Sequence, residues 1–144
     1  MIAIELLPVG EVSDAVLGNL RAALEPVFGV PCKLLADRLD PSFAFHVKRA
    51  QYHSSEILAR MRHSANVATC LGVTSVDLYI PILTFVFGEA EVGGRCAVVS
   101  YHRLRQEFYG LPPAPEIERI RLLKESIHEL GHTIELTHCD DYRC

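Results

Sequence analysis

No run of apolar residues approaches the ~20 that a membrane-spanning helix needs, although hydrophobic residues make up 49% of the 144-residue chain. The N-terminus lacks a basic segment, and Met1-Ile2-Ala3-Ile4-Glu5-Leu6-Leu7 carries an acid at its centre. That excludes a secretory signal peptide and leaves a first β-strand. Positive charge is not in excess either. A net charge of −4 and a pI near 5.9 give no electrostatic footprint for nucleic acid, so neither a nucleic-acid nor a membrane partner is expected. The small basic clusters, Lys48-Arg49 and Arg103 with Arg105, read as solvated surface. Cysteine is scarce and scattered, at 32, 70, 96, 139 and 144. Such usage suits a reducing interior rather than a disulfide framework, and places the protein in the cytoplasm. Repeats, low-complexity tracts and charged tails are missing. At 16.0 kDa the expectation is one domain over residues 1–144, able to bury roughly 68–70% of its unfolded surface.

What is present alternates between strand-like and helix-like segments. Ile2–Leu7 is a short apolar run ended by Pro8, and Cys32–Leu35 is a second strand. Between them Glu11–Leu24 carries Val12, Ala15, Val16, Leu20, Ala23 and Leu24 at helical spacing, with Pro26 expected to stop it. Asp37–Arg49 is open between an excursion and a hairpin. Ser54–His63 reads as a helix and Val73–Ile80 as a strand. Phe85–Val92 and Arg95–Tyr101 flank Gly93-Gly94, a hairpin signal. The Pro-rich segment 110–115 is a rigid linker, with Pro115 suited to the first turn of a final helix. Cys32, Cys70 and Cys96 sit in apolar contexts and read as buried thiols. The histidines at 46, 53, 63 and 102 read as surface or loop residues.

The final helix carries the chemistry. Ile120, Leu123, Ile127, Leu130 and Ile134 are spaced 3, 4, 3 and 4, which predicts one core-facing stripe. At ~100° per residue, His128 and His132 lie about 140° from the centre of that stripe, and Glu129 lies opposite it. Residues 128–138 read His-Glu-Leu-Gly-His-Thr-Ile-Glu-Leu-Thr-His. Two imidazoles at i and i+4 share a helix face and can grip one ion. Glu129 beside the first is placed to act as general base on a water that zinc activates. His138 supplies a third neutral nitrogen only if the helix breaks within 134–137, because a continued helix would rotate it ~240° past His132. Glu118 and Glu125, on nearby turns, read as solvated acids at the rim of the site.

These residues resemble those of the metzincin zinc peptidases, whose motif is His-Glu-x-x-His-x-x-Gly-x-x-His, and among them the archaemetzincins. The closer likeness rests on Cys139 directly after the third His, on Cys144, on Phe85-Val86-Phe87-Gly88-Glu89-Ala90, and on Gly93-Gly94-Arg95 through Ser100 with Arg103-Leu104 closing the block. It is specific over roughly residues 75–144 and general before that. The resemblance implies an α/β domain with a twisted, mostly parallel sheet and one antiparallel edge strand above a long active-site helix. The edge strand, Phe85–Val92, would pair with an extended peptide or protein substrate, with Gly88 and Glu89 as contacts. It also implies one catalytic zinc on His128, His132 and His138, and a second, structural zinc for which Cys139 and Cys144 are half the ligands. Two departures stand out. Glu135 occupies a position usually glycine, where positive φ costs a side-chain-bearing residue ~1 kcal/mol or so. The family's methionine turn would lie beyond Cys144, so truncation at the C-terminal end is expected.

Two other classes stay open. A zinc endoribonuclease of the rRNA-maturation type shares the ligand spacing but carries glycine where Glu129 stands. A non-catalytic zinc protein with a lapsed site is the other. Cleavage preference, endo- against aminopeptidase action and oligomeric state are not encoded in anything legible here.

Overall fold

A computed structural model of the chain describes residues 1–64 and 68–141. Five strands form the main sheet: β1 (Ile4–Val9), β2 (Cys32–Leu34), β5 (Thr69–Thr74), β7 (Gly88–Ala90) and β8 (Cys96–Ser100). Their order is β2-β1-β5-β8-β7, all parallel except β7, which runs antiparallel to β8 at the edge. Three helices, α1 (Asp14–Phe28), α2 (Ser54–Ser64) and α3 (Pro115–Thr133), cover the sheet. The mixed α/β architecture with one antiparallel edge is therefore the one expected.

The three central strands, β1, β5 and β8, are buried on both faces, as parallel strands between helices must be. Ile4, Leu6, Leu71, Val73, Ala97 and Val99 face α1 and α3, where Leu17, Leu20, Leu24, Leu122 and Leu130 meet them. The alternate residues Leu7, Val9, Cys70, Cys96 and Val98 face α2 through Ile57, Leu58 and Met61. Each fully buried Leu or Ile in these layers contributes ~1.5–3 kcal/mol over an exposed one. Cys32, Cys70 and Cys96 are buried free thiols, as expected. Burial pushes Cys70 up to about 12, which keeps it protonated and inert.

Several boundaries differ from the sequence reading. Helix α1 runs through Pro26 to Phe28 and ends where Gly29, at φ 67°, donates its N–H to the Glu25 carbonyl. Only one intrahelical donor is lost to the proline, and in the last turn that loss is tolerated. The single strand expected over Val73–Ile80 is two: β5 ends at Thr74, and β6 (Leu78–Tyr79) joins a second sheet with β3 (Phe45–His46) and β4 (Gln51–His53). The break is held by Thr74 Oγ1, which accepts from the Val76 N–H, and by Ser100 Oγ, which donates to the Val76 carbonyl. The β3–β4 pair is antiparallel, so the open segment resolves partly into a hairpin. The expected edge strand shortens to Gly88–Ala90 because Val86 bridges to Leu78 of β6 instead.

Candidate metal centre

Helix α3 packs on β8 and β7 with Leu122, Ser126, Glu129, Leu130, Gly131 and Thr133 buried. The predicted stripe holds only in part: Leu130 is fully buried, but Ile120 and Ile134 are exposed at 56% and 43%, and Leu123 and Ile127 only border the core. Besides Leu122 and Leu130, which enter the core, the buried side of the helix is small or polar: Ser126, Glu129, Gly131 and Thr133. Glu129, placed by the stripe on the far side of the helix, is in fact 7% exposed. It lies at the seam between the buried face and the histidine face.

The break that His138 requires is present. Thr133 is the last helical residue and Ile134 the cap. Glu135 then adopts φ 69°. Its N–H donates to the His132 carbonyl, and the Leu136 N–H to the Gly131 carbonyl, both at 3.0 Å. These are the paired bonds of a Schellman motif. Leu136 packs where Gly131 has no side chain, which supplies the accompanying apolar contact. Glu135 thus takes the conformation that glycine would take at less cost. Glu135→Gly is expected to raise stability by about 1 kcal/mol, read as a higher midpoint in urea unfolding with an unchanged slope.

With the chain reversed, His128, His132 and His138 each offer a ring nitrogen, and the three nitrogens lie within 4.8 Å of one another. The Nε2 atoms of His128 and His132 are 3.2 Å apart. Two nitrogens on a tetrahedral zinc at 2.0–2.1 Å would stand about 3.3–3.4 Å apart, so the cradle fits that ion. His132 Nδ1 is 2.7 Å from the Leu136 carbonyl. Donation from Nδ1–H fixes the tautomer and turns the Nε2 lone pair toward the cradle. Leu136 could not be found from sequence, because any residue supplies a carbonyl. Desolvation, then charge repulsion from His132 and His138, lowers the His128 pKa below its usual value, which favours the neutral ligand form.

Glu129 sits under the edge strand. A Cβ on Gly88 would come within 2.9 Å of Glu129 Cγ and 2.5 Å of the Val98 carbonyl. Gly88 is therefore glycine because no side chain fits between strand and helix. Burial, then the nearby Glu125 and Glu89, push the Glu129 carboxyl up to about 7. That is the range in which a general base is most effective.

Gly88 and Glu89 have distinct settings. The Glu89 carboxylate accepts from Ser55 Oγ at 2.8 Å and from Ser54 Oγ at 3.3 Å at the start of α2. Its side chain is thus turned from α3, and any contact with a substrate strand falls to the backbone. Phe87 O accepts from the Ser100 N–H and the Glu91 N–H donates to Cys96 O. By antiparallel alternation, the N–H and C=O of Gly88 and Ala90 point to the outer edge. Among the described residues no strand pairs with that edge.

Cys139 is an exposed free thiol, and Cys144 lies outside the described residues. Among the described residues the three histidines are the one group suited to hold a metal. Glu118 and Glu125 are half-buried rather than solvated, and desolvation raises both pKa values. No helix among the described residues is long and apolar enough to cross a membrane.

The profile of peptidase family M54 matches residues 31–144. The chain belongs to that family. It is 45% identical over 137 residues to the archaemetzincin of Methanocaldococcus jannaschii, covering 95% of this chain and 75% of that protein. The crystal structure of the Archaeoglobus fulgidus archaemetzincin, complexed with malonate, superposes with a TM-score of 0.85 at 33% identity, over 97% of this chain and 82% of that one. A zinc-dependent peptidase from Methanocorpusculum labreanum gives a TM-score of 0.86 at 29% identity, over 96% and 84%. As an M54 member the chain is a zinc metallopeptidase, a hydrolase acting on peptides or proteins.

Proposed function

We propose that His128, His132 and His138 hold a single catalytic zinc and that Glu129 is the general base, in the manner of the metzincins. The observation carrying this reading is the chain reversal at Glu135, which returns His138 to the two helical histidines within 4.8 Å. Zinc, when bound by three neutral imidazoles, keeps its +2 charge, polarises a carbonyl and brings the pKa of water toward ~7. The protein does the rest. Glu129 takes the proton of the attacking water on its carboxylate and delivers it to the leaving nitrogen. The Leu136 carbonyl holds the His132 ring in its ligating tautomer. Gly88 and Ala90 orient an extended peptide through their outward N–H and C=O groups. Cys139, with Cys144, is the proposed half-site of a second, structural zinc. The reading includes action in the cytoplasm, in keeping with the scattered free thiols.

Elemental analysis tests the ligand assignments. His128→Ala or His138→Ala is expected to lose one zinc per chain and peptide turnover together. In a polypeptide extended beyond Cys144, so that the other half of the ligands can be supplied, Cys139→Ala is expected to lose only a second zinc and keep turnover. Zinc unaffected by His138→Ala would overturn the three-histidine site.

A further inference from the structure

The histidine face of α3 continues toward the N-terminus of the helix through Glu125 and Arg121. At ~100° per residue these two and His128 and His132 fall within about 60° of arc, and Glu125 precedes His128 by about 4.5 Å along the axis. Beside them is a cavity of about 270 Å³. Its apolar walls are Phe87, the residue before the edge strand, with Leu104 and Tyr109; Arg103, Arg121, Lys124 and Glu125 complete it. The cavity is thus bounded by the helix that carries the histidines and by the residue that leads into the edge strand. We propose that it is a substrate subsite in which Glu125 selects a cationic group, an alkylammonium or guanidinium.

Four charged residues line the cavity, and they are not equally available. Arg103 donates from Nε and Nη2 to the two oxygens of Asp77, each at 2.8 Å, and lies over the Phe85 and Phe108 rings. Arg121 Nη1 donates to the Leu104 carbonyl at 3.0 Å and to Gln106 Oε1 at 2.9 Å. Lys124 is exposed to water. Glu125 is half-buried and makes no hydrogen bond or ion pair among the described residues. Desolvation is the one influence raising its pKa. A half-buried carboxylate without a partner is costly until a cation reaches it. The apolar walls suit the methylene stem of lysine or arginine, which buries its carbons while the charge meets the acid.

This inference rests on the peptidase reading, so its test includes binding as well as turnover. Acetylated peptides that differ at one position, lysine, norleucine or glutamate, are scanned along the sequence. The zinc-loaded wild type and Glu125→Gln are compared by kcat/KM and by calorimetry, with zinc content and circular dichroism as controls of folding. The wild type is expected to favour lysine over norleucine by roughly ten- to a hundredfold at one position, the scale of a charge-assisted hydrogen bond. Glu125→Gln is expected to bring the lysine-to-norleucine ratio to about one; the ratio is the readout because Glu125 also acts on the neighbouring Glu129 carboxyl, and a change there alters both peptides alike. Repeating the series without acetylation tells a side-chain amine from the terminal one: a preference appearing only then assigns the cation to the substrate's N-terminus. Equal handling of lysine and norleucine in both series would overturn the proposal. So would a lysine preference that survives Glu125→Gln, or a glutamate preference removed by Arg121→Gln. Glu125-dependent binding without turnover would support the subsite and count against the peptidase reading alone.

Discussion

Glu129→Gln is expected to lower kcat/KM for peptide hydrolysis by roughly 10²–10⁴-fold, the usual contribution of a positioned general base, while zinc per chain stays at the wild-type value. Glutamine keeps the shape that fits against Gly88, where Glu129 Cγ lies 2.9 Å from a hypothetical Cβ. It removes only the ability to accept a proton as a carboxylate. Loss of fold is not expected to confound the result. The substitution exchanges a desolvated carboxyl, held at about 7, for a neutral amide, which is less costly to bury. The variant should melt no lower than the wild type. Kinetics against a peptide substrate together with elemental analysis decide the matter. Activity within tenfold of wild type would remove Glu129 from the chemistry.

Gly88→Ala is expected to damage both stability and turnover. The added carbon would meet the Val98 carbonyl at 2.5 Å, Glu129 Cγ at 2.9 Å and a Val99 methyl at 3.2 Å. The carbonyl belongs to β8 in the middle of the ladder and cannot yield without breaking the β7–β8 pairing. Overpacking of this kind costs typically ~1–3 kcal/mol. The other relief is to push α3 and Glu129 away from the strand. A shift of about 1 Å in a catalytic group can cost on the order of 10²-fold, so kcat should fall more than KM rises. Urea unfolding and steady-state kinetics on the same preparation separate the two effects. A variant with wild-type stability would mean the strand edge gives way more easily than its pairing suggests.

The candidate metal centre was legible as a cluster of three histidines because its signal is chemical. Three histidines at offsets of 4 and 6 and an acid beside the first have few other uses, and they need no knowledge of what surrounds them. The glycine missing at 135 argued against the third ligand, yet Glu135 takes the left-handed conformation all the same. The two backbone bonds of the helix end and the Leu136 contact offset a cost of about 1 kcal/mol.

Reading hydrophobicity misled where the site itself imposes polarity. The buried side of α3 holds Ser126, Glu129, Gly131 and Thr133 beside Leu122 and Leu130, whereas of the supposed core stripe only Leu130 is fully buried; Leu123 and Ile127 border the core, and Ile120 and Ile134 are exposed. The stretch 73–80 looked like one strand because β-branched residues continue through it. Thr74 breaks it locally, through the Val76 N–H two residues on, but the Ser100 hydroxyl acts from the neighbouring strand, beyond the reach of local pattern. The parallel sheet with its antiparallel edge came from family likeness rather than from periodicity.

At the end of α3 the His132 carbonyl accepts from the Glu135 N–H and also from the N–H of Gly93, at the tip of the β7–β8 hairpin, each at 3.0 Å. One oxygen atom is thus a common origin for three measurements: where the second histidine sits, where the chain turns toward the third, and where the hairpin leaves the helix. Because Gly93 is three residues past Ala90, the height of the edge strand above the histidines is set from the same atom. The active site carries its own ruler, and a change at the hairpin tip resets the scale at the metal.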